Sequence, residues 1–197
     1  MEHGNEEARS VSGRLEPVIL PTAERQMPQA QPAKVAAGVS AAARLAAAQK
    51  ERFAHDFSQA VAVLMRDANY KNLRLADLDW LVIPPMIAGQ ARVAVSRPRK
   101  DGPVVPVAAA LWARVSPAVD KRLADNLDKP PMLTSREWTS GDILWLIMLA
   151  GEQQAIGNFL PQLQRTVFKG RPVKVRVQDK DGKTIVQVLP PQPGSKT

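Results

Sequence analysis

The chain has 197 residues, 45% of them apolar and 23% charged, with a net charge of +8. This length suits one domain of ordinary size plus a tail, and the apolar share allows a sizeable core. Cysteine is absent and only two histidines, His3 and His55, are present. Disulfides, thiolate nucleophiles and Cys-based metal sites are therefore excluded, and no structural zinc or other metal is expected.

The first residues, Met1-Glu2-His3-Gly4-Asn5-Glu6-Glu7, are acidic and polar. They lack the basic and apolar regions of a secretory signal, so none is expected. No apolar run reaches the roughly 18 residues of a membrane span, and a cytoplasmic location is the default. Pro17, Pro21, Pro28 and Pro32 stand among Gln, Glu and Ala without an apolar period. Residues 1–39 therefore read as a disordered or loosely attached Pro/Ala-rich tail, 40–189 as a single folded domain, and 190–197 as a C-terminal tail. Residues 1–40 hold five acids and four bases, so of the total +8 the rest of the chain carries +9. A basic folded domain favours an acidic partner: nucleic acid, an acidic protein or an anionic lipid surface.

Residues 40–66 form an Ala-rich helical pattern, with Leu45, Phe53, Phe57, Val61 and Leu64 able to share one face. Between Leu73 and Met86 a short helix is expected, stopped by Pro84-Pro85. Ala91, Val93 and Val95 alternate, Lys100-Asp101-Gly102 marks a turn, and residues 104–115 are a long strand-like run; together they predict a β-hairpin. Ser116-Pro117 is an N-cap followed by proline at the first helical position, so a short helix follows over 118–127. Residues 129–137 read as loop, and 143–150 as a buried strand. A helix over 154–168 contains Pro161 and ends near Gly170. Residues 173–177 and 183–188 alternate around Asp179-Lys180-Asp181-Gly182, a second hairpin. This order predicts a mixed α/β domain of the α+β kind, around one mainly antiparallel sheet flanked by helices.

The densest polar and aromatic cluster is Glu137-Trp138-Thr139-Ser140-Gly141-Asp142-Ile143-Leu144-Trp145. It lies where a loop enters an apolar strand. A carboxylate there is partly desolvated, which raises its basicity. The same residues also read as a plain turn, with an aspartate satisfying backbone N–H groups beside two core tryptophans.

The cluster resembles the Trp-Thr-Ser-Gly-Asp-x-x-Trp signature of the RTX-toxin-activating lysine acyltransferases. Val82-Ile83-Pro84-Pro85-Met86 with Ala88 and Gln90, Ala109-Ala110-Leu111-Trp112-Ala113 with Ser116, Phe168, Lys174-Val175-Arg176-Val177 and Gly182-Lys183 are similar to further family segments, in the same order, over about residues 57–188. The resemblance implies a GNAT-type acetyltransferase-like fold. It also implies transfer of a fatty acyl chain from acyl-acyl carrier protein to lysine side chains of a protoxin, with no permanently bound cofactor. Members are often dimers, so a homodimer is among the expectations. The family's catalysis is attributed to a His in a Ser-x-x-His stretch and to the signature Asp, here Asp142. Trp138, Thr139, Ser140, Gly141, Asp67 and Arg176 are then candidates for substrate binding. Acyl carrier protein is strongly acidic, which suits the basic domain. The nucleotide loop of coenzyme-A-using relatives is only half present at Gln154-Ala155-Ile156-Gly157.

Counting back from Pro84 places Tyr70 at the family's catalytic His and Asp67 at the motif's Ser, while His55 reads as a surface residue of the first helix. A phenol with pKa of about 10 is a poor base where imidazole, at about 6.5, is a good one. Tyr70 can instead donate a hydrogen bond to an oxyanion or a leaving sulfur. Where the family has an Asp and an Ala-Pro-Phe-Gly-like stretch after the signature, this chain reads Met148-Leu149-Ala150-Gly151-Glu152. Three functions follow as alternatives: an acyltransferase using Asp142 and Tyr70, a catalytically impaired relative that binds carrier protein or substrate, and a nucleic-acid-binding protein argued from charge alone. Few aromatics, no recognised nucleic-acid motif and dispersed bases count against the last. The one tight basic patch, Arg97-Pro98-Arg99-Lys100, suits a solvated hairpin tip or a docking site for an acidic carrier. The active reading requires Asp142 and Tyr70 to face each other across one cleft.

Overall fold

The computed structural model describes residues 41–191, with side chains from residue 43. The tail expected at 1–39 lies outside the described residues, as do 192–197.

Helix α1 spans Ala41–Leu64. Alanine, the best helix former, dominates its first half. Residues 43–52 are all exposed, and packing begins only with Phe57, Ala60, Val63 and Leu64. Leu45, expected on the buried face, is 66% exposed, ahead of the residues where α1 meets the core. Next come α2 (Asp77–Leu81) and α3 (Ile83–Ile87). Pro84 and Pro85 open α3 instead of ending a helix. In a first turn the missing N–H would have had no acceptor anyway, and the fixed φ suits the helix.

Strands β1 (Ala91–Ser96) and β2 (Val105–Val115) form the expected hairpin. The register jumps from Ala94–Ala108 to Val95–Pro106, so Val107 is an extra residue on β2. Pro106 sits beside this bulge, where the absence of an N–H disturbs the ladder least. Ser116 caps α4 (Pro117–Asp125) by accepting from the Val119 N–H at 3.4 Å. A 3-10 turn at Glu137–Thr139 leads to β3 (Ile143–Gly151). Helix α5 (Gln153–Thr166) tolerates Pro161 in its interior and buries Phe159, Leu163 and Gln164. Strands β4 (Val173–Gln178) and β5 (Thr184–Leu189) form the second hairpin. Its turn is held by the Asp179 carboxylate, which accepts from the Asp181 and Lys183 N–H groups, both at 2.9 Å.

The sheet order is β1-β2-β3-β4-β5. Every neighbouring pair is antiparallel except β3–β4. One face carries Leu111, Ala113, Val115, Trp145 and Met148 against α1, α2 and α4; the other carries Ala110, Trp112, Leu144 and Leu146 against α5. This is a mixed α+β architecture with a mainly antiparallel sheet flanked by helices, as the order of elements predicted.

One irregularity positions the site. Leu111 pairs with Met148 but Trp112 pairs with Leu146, so Ile147 is an extra residue on β3. The parallel pairing of β3 with β4 also stops at this level, with Leu146 opposite Val175. A bulge bends its strand and increases the local twist, which turns the end of β3 away from β4. Residues 148–151 consequently meet the segment after α1.

Candidate active site

The signature block sits at the start of β3. Trp138 is completely buried. Ser140 Oγ accepts from the Ser116 N–H and donates to the Glu137 carbonyl, both at 3.0 Å. The Gly141 N–H donates to the Arg114 carbonyl at 3.1 Å. A Cβ on Gly141 would lie 2.5 Å from the Val115 carbonyl oxygen and 2.7 Å from Ser116 Cα, so only glycine fits. Glu137 accepts from Thr134 and pairs with Arg122 at 2.9 Å. These contacts clasp the loop to the β2–α4 junction. Thr139 and the side chain of Asp142 face solvent, and the Asp142 carbonyl accepts from Arg171.

The second signature tryptophan has a structural partner too. Trp145 Nε1 donates to Asp120 Oδ1 at 2.7 Å. The Lys174 ammonium bridges both Asp120 oxygens at 2.7 and 2.9 Å and lies 5.8 Å from the Trp145 ring centroid. Arg176, expected to bind substrate, donates to the Leu123 and Lys129 carbonyls, both at 2.6 Å. Burial pushes its pKa below the usual guanidinium value, with Asp128 opposing that shift.

Tyr70 and Asp67 sit at the other end of β3. After α1 the chain makes a tight turn in which Asp67 O accepts from the Tyr70 and Lys71 N–H groups at 3.2 and 2.9 Å. Asp67 Oδ1 accepts from the Asn69 N–H at 2.8 Å, and Oδ2 accepts from the Gly151 N–H at 2.7 Å. Gly151 has φ +128°, and a Cβ there would overlap the Val107 carbonyl oxygen and the Ala108 Cα. Glycine is required because the bulged Val107 presses its backbone against the strand end. A cleft of about 280 Å³ opens here, lined by Arg66, Asp67, Asn69, Val107, Gly151 and Glu152. Val107 and Glu152 also line a second recess of about 410 Å³ between β1 and α5.

Tyr70 closes the same turn and is half-buried against the core; its neighbours Asp67 and Asn69 line the cleft. Desolvation raises its pKa above the ordinary phenol value and the Asp67 charge raises it further; hydrogen bonding with the Leu149 backbone works the other way, and the net direction is up. A phenol whose pKa is raised in this way stays protonated at neutral pH and is suited to donate a hydrogen bond, not to take up a proton.

The expected opposition of Asp142 and Tyr70 is not formed. Tyr70 engages the level of Leu149, seven residues along β3 from Asp142. At the 3.2–3.4 Å rise of a strand this is about 20 Å. The structure brings together Asp67 and Tyr70; it gathers Trp138, Thr139, Ser140, Gly141 and Asp142 at the opposite end, and holds Arg176 against the end of α4. His55 is exposed on α1, bonded to Gln59, as expected of a surface residue. Gln154–Gly157 form the first turns of α5. No group of three or more metal-ligating side chains occurs among the described residues, and no described helix is long and apolar enough to cross a membrane. Sequence reasoning missed Gly151, Val107 and Glu152. The glycine closing an otherwise apolar strand was the available signal for a close backbone approach.

Bulged β3, its glycine-tight end and the Tyr70 cleft belong to a site shaped on strand backbone. The chain matches the sequence profile of the RTX toxin acyltransferase family, HlyC, over residues 49–192. It therefore belongs to that family, whose members are toxin-activating acyltransferases. A search of curated proteins found no match.

Proposed function

We propose that this protein transfers a fatty acyl group from an acyl-acyl carrier protein thioester to lysine side chains of a protoxin-type protein, and that transfer occurs in the Tyr70–Gly151 cleft of a GNAT-type fold. The observation that carries this reading is a phenol held protonated next to Asp67, a residue that lines an open cleft at the end of a bulged strand. In the reaction the lysine nitrogen bonds to the thioester carbon, the carbon–sulfur bond breaks and the carrier thiolate leaves. Tyr70 donates a hydrogen bond to the carbonyl oxygen as negative charge develops on it. The ammonium proton goes to solvent water, and the thiolate recovers a proton from water. Asp142 takes no part, and Asp67 supports the cleft, since both its oxygens are engaged by backbone N–H groups.

Without a general base the rate falls by about 10²–10⁴ relative to a site that has one. A thioester is already activated, so positioning alone sustains slow transfer. Purified protein incubated with acyl-acyl carrier protein and a lysine-bearing acceptor should give an acylated acceptor by mass spectrometry. Tyr70→His should raise the rate by about 10²-fold. The second reading, a family member that binds carrier or substrate without turnover, is favoured by the same raised phenol pKa. Absence of acyl transfer by both the native protein and Tyr70→His would establish it.

A further inference from the structure

We propose that the tip of the β1–β2 hairpin and Arg66 form a docking surface for an acidic carrier protein at the mouth of the Tyr70 cleft. This rests on the carrier-dependent transfer proposed above and adds where the carrier sits.

The cations of this surface are uncompensated. Four ion pairs occur among the described residues: Arg74–Asp77, Lys121–Asp125, Arg122–Glu137 and Lys174–Asp120. Three of the four belong to α4 and its surroundings, at the signature end. Arg97, Arg99 and Lys100 have none, and all three are exposed. Arg66 donates only to the Ala62 and Pro106 carbonyls, which leaves its charge unneutralised.

Arg66 places this surface at the cleft, and Ser96 places it at the adjoining recess. The tip directly follows Ser96, which pairs with Val105 and lines the recess shared with Val107 and Glu152. Arg66 lines the cleft itself and binds β2 at Pro106, close to where that strand leaves the tip. Arg66 thus stands at the cleft, and the three cations of the tip follow the strand end that lines the adjoining recess. The acids nearby are Asp101 in the turn, Glu152 at the cleft and Asp67, whose oxygens are held by backbone. Exposed charges of one sign beside an opening steer a partner of opposite sign and raise its encounter rate. An acidic protein delivering a thioester arm fits this arrangement: its body meets the cations while the arm enters between them.

The test is binding, not turnover. Calorimetric titration of the full chain with an acyl carrier protein in its holo form, at low and at physiological salt, should show saturable one-to-one association that weakens with salt. The triple variant Arg97→Glu, Arg99→Glu, Lys100→Glu should weaken it about tenfold or more. Arg66→Gln, on the other lip, should weaken it in the same direction. The control Lys180→Glu, Lys183→Glu, on the distant β4–β5 turn, should leave it unchanged. Unchanged affinity in the triple variant, equal loss in the control, no carrier binding at low salt, or tighter binding of a DNA duplex than of the carrier would each overturn the proposal. Carrier binding without any acyl transfer would defeat the transferase reading and leave this surface standing.

Discussion

The carboxylate of Asp67 accepts a 2.7 Å hydrogen bond from the backbone N–H of Gly151, a residue 84 positions further along the chain. The bond ties the turn after α1 to the end of β3 and sets the position of Tyr70 three residues later. Asp67→Ala removes a charge-assisted bond to a partly buried donor and should cost about 1–3 kcal/mol of stability. Gly151→Ala should cost more, about 3 kcal/mol or above, since it combines an unfavourable φ with backbone overlap. Thermal unfolding followed by circular dichroism measures both, and a smaller loss for Gly151→Ala than for Asp67→Ala would contradict this account.

Tyr70 is the only tyrosine in the chain. Alkaline titration of ultraviolet absorbance near the phenolate band therefore reports this one side chain. The midpoint should lie above the ordinary value of about 10. The linked effect on stability has a definite sign. Below pH 10 the phenol is neutral in both folded and unfolded chains and contributes no slope. Above it the unfolded chain ionises first, so stability falls as pH rises through the folded pKa. Tyr70→Phe should remove that fall.

Asp142→Asn should leave acyl transfer and melting temperature essentially unchanged, within about 0.5 kcal/mol for stability. The side chain is exposed, and the residue lies a strand's length from the cleft. A large loss of transfer activity with intact folding would return Asp142 to the reaction and move the site to the start of β3.

Asp120→Ala should destabilise the protein by about 1–3 kcal/mol, because it strands both the Trp145 indole N–H and the Lys174 ammonium. Asp120→Asn keeps one acceptor and should cost less. Comparing the two by urea unfolding separates the hydrogen bond from the charge.

The parts of the fold that were legible in the sequence are those that one segment decides alone. Ser116-Pro117 carries its own cap, and Asp179 through Gly182 its own turn, so α4 and the last hairpin could be read locally. Pro84-Pro85 misled because proline both ends and begins helices, and only the following residues decide which. The bulges at Val107 and Ile147 left no trace, since an extra residue is defined by a partner strand elsewhere in the chain. The arrangement of the site was illegible for a related reason. The polar density of the signature block reads as chemistry, yet Gly141 and Ser140 are there to fit against Ser116. Tyr70 was placed by counting from a motif, but which stretch of β3 it would meet depends on the bulge and the Asp67–Gly151 bond.

The extra residue at position 147 reverses the alternation of β3 partway along, so that Ile147 and Met148 both point toward the α1 side. A strand that kept the same residues but paired without the bulge would hold its first five positions in phase and invert the rest. Leu149 would then turn toward the phenol-bearing layer, and Met148 and Ala150 toward α5. The bulge thus decides which side chains of the strand end face the layer that holds Tyr70.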